Sequence, residues 1–291
     1  MGQLELATTA LGERRAKVAR AWDLRGAVAL VPAGLPPPIA GTDQSHDFHA
    51  HPDHYYLSGL GLAGGVLAFD PAEGWVAFER QATQDEKVWE GETPALEELS
   101  VHAGIPVRPA GELQAWLERR RGERVALLGN HDIERRTADY GIDGWAALEV
   151  DLDEGLAARL TEQVAEARRT KDAAELARMR EAGAASVEGH LAGWRVAREG
   201  MTERQLQVEI EAEMFRHGPL RTAYGSIVGA GPNSAVLHFR PTARELRDGD
   251  MVLVDAGAEV EGYAADVTRT FPVGRRFEGL QGELYDLVLA A

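Results

Sequence analysis

The chemistry this 291-residue chain could do concentrates in Val252–Phe271, which reads VLVDAGAEVEGYAADVTRTF. Two β-rich runs flank AEVEG, so the stretch is expected to fold as a hairpin, with Asp255 on its first strand and Asp266 on its second. The two acids lie eleven positions apart. That odd separation lets them stand opposite each other on one face, with Cβ atoms about 5 Å apart, provided no bulge intervenes. A single bulge would send them to opposite faces. Facing carboxylates on otherwise apolar strands resist joint ionisation, and a divalent cation between them relieves the repulsion. Hard oxygen donors suit Mn²⁺, Mg²⁺ or, less selectively, Zn²⁺. The plainer alternative is that one Asp caps a turn while the other pairs with Arg269 or another arginine.

His238 lies just upstream, in SIVGAGPNSAVLHFRP, where it alternates with Leu237 and Phe239. Alone it reads as a half-buried, satisfied histidine. The turn ELRDGD separates it from the Asp hairpin, so a shared cavity is expected, in which the imidazole could hydrogen-bond a substrate carbonyl or the oxyanion formed from it. The absence of cysteine excludes disulfides, zinc–thiolate centres and cysteine nucleophiles, and leaves Asp, Glu and His to hold any metal. With 31 Lys and Arg against 47 Asp and Glu, the formal net charge is −16. That acidity argues against nucleic acid and anionic membrane surfaces as partners. No stretch approaches the roughly 18 apolar residues of a membrane span. The first 22 residues read as an amphipathic helix rather than a signal peptide, and Leu6 stands where a myristoylation motif wants Ser or Thr. The expected location is cytoplasmic.

The elements that must position these residues fall into two groups. Apolar runs at Gly26–Val31, Gly65–Phe69, Trp75–Phe78, Val125–Leu128 and Leu148–Leu152 read as strands, with helical patterns at Leu96–Ala103 and Glu112–Arg121 between them. Alternating strands and helices indicate an α/β domain. Beyond Leu156 helix formers dominate. Asp172 with Glu175, and Thr202 with Gln205, resemble capping boxes that open two helices, the second ended by Gly218. Strand-like segments follow at Tyr224–Val228, Ala235–Phe239, Met251–Ala256 and Tyr263–Phe271, which makes the second part α+β. The boundary is expected within Leu156–Lys171. Glu283–Ala291 opens a helix, with Leu284, Leu287 and Val288 as its stripe, and looks cut inside it.

From Tyr224 to Val288 the sequence resembles the pita-bread metallopeptidases, and among them the aminopeptidase P (Xaa-Pro aminopeptidase) family. The matching pieces are IVGAGPNSAVLHF, RDGDMVLVDAGAEVEGYAADVTRTFPV and LYDLVL, and RRTKDAAELARMREA is similar to the segment that opens the family's catalytic domain. The two-domain layout resembles the aminopeptidase P, prolidase and creatinase branch; methionine aminopeptidases usually lack the first domain. The resemblance implies a creatinase-like α/β amino-terminal domain over residues 1–160, then part of an α+β pita-bread domain over residues 161–291.

It also implies two divalent metal ions, usually manganese, with zinc, cobalt or magnesium as options, and release of an N-terminal residue that precedes proline. Asp255 falls on the position that chelates one metal, Asp266 on one that bridges both, and His238 on the histidine that contacts the substrate or tetrahedral intermediate. The metals would hold a hydroxide nucleophile and polarise the scissile carbonyl. Creatinase, which works without metals, does not keep these positions acidic. The family's remaining ligands, a His and two Glu, and with them its general acid/base Glu, belong to a half of the domain that would follow Ala291. His190 and His217 do not match them by motif. The expectation is a chain stopping midway through its catalytic domain, unable to hydrolyse peptides alone and holding one weakly bound ion or none. Its expected partners are a peptide with proline in second position, and a homo-oligomer or complementing chain that covers the open sheet edge. The alternatives are a non-catalytic peptide- or protein-binding module, or a prolidase acting on Xaa-Pro dipeptides.

Weaker signals lie in the first half. His46, His49, His51 and His54 cluster in HDFHAHPDH, a possible transition-metal site or a polar, substrate-facing loop in which Pro52 breaks any helix. GLGLAG matches a dinucleotide fingerprint by letter, but a strand follows it instead of a helix. GNHDIERR lacks the other ligands of a phosphoesterase, and Asp85 with Glu86 reads as a solvated loop.

Overall fold

A computed structural model of the chain describes residues 2–129, 150–274, 276–277 and 279–291. They form two compact units, Met1–Ala174 and Glu175–Ala291. In the first, the apolar runs become β1 (Ala27–Pro32), β2 (Val66–Asp70), β3 (Gly74–Glu79), β4 (Val107–Pro109), β5 (Arg124–Leu127) and β6 (Asp151–Leu152). Around them lie α1 (Gly2–Ala21), α2 (Pro52–Ser58), α3 (Gln84–Trp89), α4 (Leu96–Ala103), α5 (Glu112–Glu118) and α6 (Glu154–Arg169). The six strands make one mixed sheet in the order β4-β3-β2-β1-β5-β6. Side chains alternate across a strand, and here both sides are apolar. Ala29, Val31, Leu67 and Ala77 share one core with α1, α2, α4 and α6, while Val28, Leu30, Val66 and Phe78 share the other with Leu113, Trp116 and Leu117 of α5. Burial on two faces explains why GAVALV is an unbroken apolar run.

Several local expectations change. QATQDEKVWEGE is not a loop: Thr83 and Glu86 form a reciprocal capping box that starts α3, and Glu86 also pairs with Arg80. All of α3 is solvated even so. Pro52 does not break a helix but opens α2, at a position where its missing N–H has no partner to lose. The clustered histidines diverge. His51 Nδ1 accepts the Asp53 N–H at 3.3 Å, and His54 is fully buried with Nδ1 2.8 Å from the Val31 carbonyl. Burial pushes the His54 pKa down to about 4. Among the described residues no three His, Asp or Glu side chains gather as a metal site. GLGLAG does run into a strand, β2. Asn130, His131 and Asp132 of GNHDIERR lie outside the described residues, as do Leu148 and Glu149.

The second unit contains all but the first two residues of α7 (Ala173–Val196), then α8 (Glu203–Arg216), β7 (Arg221–Thr222), β8 (Ile227–Ala230), β9 (Met251–Asp255), β10 (Ala258–Val260), β11 (Tyr263–Ala264), β12 (Thr268–Pro272) and α9 (Leu280–Ala290). Thr202 and Gln205 form the expected capping box of α8. Two three-stranded sheets run β12-β9-β8 and β11-β10-β7. Val252, Val254, Ala256 and Ala258 face a core built with Leu206, Ile210 and Met214 of α8. The expected strand over Ala235–Phe239 is absent. Gly231–Ala235 forms a 3₁₀ turn instead, because Gly231 at φ 54° and Pro232 break an extended run. Leu284, Leu287 and Val288 of α9 are exposed.

Glu79, at the end of β3, breaks the apolar pattern. It is fully buried, neither carboxyl oxygen has a hydrogen-bond partner among the described residues, and burial raises its pKa to about 8. A carboxyl protonated in the fold and ionised when unfolded contributes stability that is present below the unfolded value, near 4.5, and lost as pH rises to about 8. Glu79→Gln is expected to match the wild type at pH 4 and to exceed it at pH 9 by on the order of a few kcal/mol. Urea denaturation at both pH values checks this; parallel pH profiles would contradict it.

Candidate metal centre

The hairpin is one continuous antiparallel ribbon. Asp255 pairs with Thr268, and the same register carries Glu259 opposite Ala264 and Val260 opposite Tyr263. Asp266 therefore falls opposite Gly257. The ribbon closes in a two-residue turn, Glu261–Gly262, with φ of 48° and 78°, the left-handed pair whose twist suits a tight hairpin. The turn centre is one position later than direct pairing of Asp255 with Asp266 would require. That moves the register by two, so the acids keep a common face but sit diagonally rather than directly opposite. The other face, with Val254, Ala256 and Ala258, is buried. Asp255 is half-buried and Asp266 exposed.

Tyr224, which sequence reasoning counted only as the start of a strand, joins the two acids. Ala223 donates its N–H to the Gly257 carbonyl, while Ile227 already pairs with Asp255. Tyr224, Gly225 and Ser226 thus span what Ala256 alone spans on the ribbon. The surplus bulges and re-aims a side chain. The Tyr224 hydroxyl donates to Asp255 Oδ1 at 2.5 Å and lies 3.3 Å from Asp266 Oδ1. Burial, then the hydrogen bond to Asp255 and its charge, push the phenol pKa well above its usual value, so the hydroxyl stays a donor.

Gly257 makes the arrangement possible. A Cβ there would lie 1.8 Å from the Ala265 carbonyl oxygen and 3.3 Å from the Tyr224 ring. From the helix side α7 grips the same stretch. Ser186 Oγ accepts the Ala258 N–H at 2.9 Å, and His190 Nε2 lies 3.0 Å from the Ala256 carbonyl. A carbonyl can only accept, so His190 carries its proton on Nε2; burial lowers its pKa.

No guanidinium among the described residues pairs with either carboxylate. Arg269 donates to the Thr268 carbonyl at 2.7 Å instead. His238 sits in the turn after the 3₁₀ segment, exposed, and makes no hydrogen bond among the described residues, to the two acids or to Tyr224. Two carboxylates on one face, with a neutral hydroxyl and no protein cation between them, fit part of the oxygen shell of a hard divalent ion. Among the described residues no third His, Asp or Glu joins them.

Comparison with known proteins bears on the family and the fold. The model of the aminopeptidase P N-terminal domain matches residues 11–126, and that of metallopeptidase family M24 matches residues 177–291. The Xaa-Pro aminopeptidase of Escherichia coli (strain K12) is 32% identical over 287 residues, covering 91% of this chain and 62% of that protein. Aminopeptidase PepP of Pseudomonas aeruginosa is similar in structure, with TM-score 0.82 and 30% identity over 97% of this chain and 66% of that one. A zinc-substituted E. coli aminopeptidase P in complex with product gives TM-score 0.80 and 27% identity, over 97% of this chain and 66% of that one. The chain belongs to the aminopeptidase P family, with that family's amino-terminal domain ahead of an M24 pita-bread fold. It spans less than two thirds of the length of these relatives.

Gly257→Ala must push Ala265 and Tyr224 away and is expected to cost about 3 kcal/mol. Tyr224→Phe removes one hydroxyl from a face open to water and is expected to cost about 1 kcal/mol. Urea denaturation of both variants checks the order, and equal costs would contradict the close approach at Gly257.

Proposed function

We propose that these residues serve a metal-dependent aminopeptidase that releases an N-terminal residue preceding proline. The observation that carries this is the contact of one Tyr224 hydroxyl with both Asp255 and Asp266, neither of them paired with an arginine among the described residues. Like charges brought this close repel each other, and a divalent cation in reach relieves that repulsion. The names of the relatives, Xaa-Pro aminopeptidase and aminopeptidase P, support the substrate class.

Asp255 and Asp266 would hold two divalent ions jointly with further ligands. Manganese is the proposed metal, and the zinc-substituted relative supports tolerance of others. When bound, such ions supply Lewis acidity towards the scissile carbonyl and an activated water. The chain's own residues do the positioning. Tyr224, kept protonated, fixes the Asp255 carboxylate by donating to Oδ1, which leaves its other oxygen free. His238, exposed on its turn, is available to donate to a substrate carbonyl or to the oxyanion derived from it. Two acids are fewer than the five ligands the family resemblance implies, so these residues alone would bind metal weakly and not turn over. A peptide with proline in second position is the proposed substrate, and a second copy or a further chain the proposed protein partner.

Calorimetric titration of the 291-residue chain with Mn²⁺ is expected to give one weak site, lost in Asp255→Asn and in Asp266→Asn. A form carrying all five ligands is expected to release the first residue of an Xaa-Pro peptide only with metal, and to spare the same peptide with alanine in place of proline. Peptide binding without turnover under any of these metals would favour the binding-module reading. Turnover confined to dipeptides would favour a prolidase.

A further inference from the structure

The segment that carries His238 is held at both ends by a single buried carboxylate. Glu203, the first residue of α8, is fully buried. Its Oε1 accepts the Ala230 N–H at 2.9 Å and Asn233 Nδ2 at 2.9 Å, where the segment begins. Its Oε2 accepts the Thr242 N–H at 3.1 Å and the Thr242 hydroxyl at 2.6 Å, where the segment ends. Main-chain bonds lace the same join: Glu203 N–H to the Arg244 carbonyl at 3.1 Å and Arg204 N–H to the Thr242 carbonyl at 3.0 Å. Arg244 then pairs with Asp250 at 2.8 Å, one residue ahead of the strand that carries Asp255.

Helix capping does not account for this carboxylate, because Thr202 and Gln205 already satisfy the α8 terminus reciprocally. Nor does apolar packing, which would be served by a hydrophobic residue without the burden of burying a charge. Burial opposes ionisation of Glu203, but the donors from Thr242, Ala230 and Asn233 outweigh it and hold the pKa below its usual value. Between the two tethers Val236 and Leu237 are 51% and 87% exposed and His238 is exposed as well, with Phe239 only half-buried, so deep burial of these side chains does not fix the tip. Its position is set at its ends.

We propose that Glu203 is a positioning residue for His238: an ionised, four-donor clamp that fixes where the imidazole stands. The inference rests on the reading of His238 as the substrate-contacting group. It differs from that reading in being testable without turnover.

Amide hydrogen exchange on the 291-residue chain is the first arm. Glu203→Gln keeps the size but turns one acceptor edge into a donor, so one end of the segment must release. Thr242→Val removes only the hydroxyl and guards against a misfolded first variant. In Glu203→Gln, exchange across residues 230–242 is expected to rise at least about tenfold while β9 and β12 keep their rates; Thr242→Val should show a smaller change in the same place. Exchange that rises evenly across the second unit, or a segment whose rates stay unchanged, would overturn the proposal. The second arm uses the active, five-ligand form. There Glu203→Gln should lower kcat with KM nearly unchanged, and the effect should disappear in a His238→Ala background. A full, additive loss in that background would overturn positioning through His238. A wild-type protein without turnover would sink the peptidase reading and leave the exchange result to decide the clamp.

Discussion

Two carboxylates within reach of one hydroxyl repel each other whenever both are ionised, so the second unit has to hold Asp255 and Asp266 where electrostatics alone would not leave them. It does so from behind. The ribbon buries Val252, Val254, Ala256 and Ala258 against its helices, and Ser186 and His190 of α7 grip its backbone at Ala258 and Ala256. On the open face a bulge of two surplus residues carries Tyr224 over Gly257, the position with no room for a Cβ. Each device fixes backbone or supplies a neutral donor, and none supplies positive charge. The arrangement keeps two carboxylates on one face, which is why a cation is the partner proposed for them.

Three carboxyl environments in this chain show the same physics resolved in three ways. Glu79 has no donor and no cation among the described residues, and burial raises its pKa to about 8, so it keeps its proton. Glu203 is as deeply buried but collects four hydrogen bonds, which hold its pKa below the usual value. The Asp pair has one shared hydroxyl and an open face. Donor count, more than burial, separates the protonated Glu79 from the hydrogen-bonded Glu203.

Much of the frame was legible in the sequence because it is written in periodicity and capping: GAVALV as a doubly buried strand, Leu96–Ala103 as a helix, and Thr202 with Gln205 as a helix start. The acids were legible because charged residues on apolar strands need a reason. The register between them was not. It turns on Glu261 accepting φ 48° ahead of Gly262, and a hairpin turn with Glu in that place has no strong local signal. His238 was placed on a strand because Leu237 and Phe239 flank it, although Gly231 and Pro232 had already diverted the backbone. Tyr224 and Glu203 were overlooked for a common cause. Their roles depend on atoms distant in sequence, Asp266 for one and Thr242 for the other, and nothing local announces either meeting.

Adding Mn²⁺ to isotope-labelled protein and following paramagnetic broadening of its amide resonances reads the acid pair most directly. Signals of Asp255, Ala256, Gly257 and Asp266 are expected to fade first, at the lowest metal concentrations. Broadening that begins in the His46–His54 segment, or at Glu209, Glu211 and Glu213 of α8, while Gly257 and Asp266 stay sharp, would contradict the assignment of these two acids to a cation.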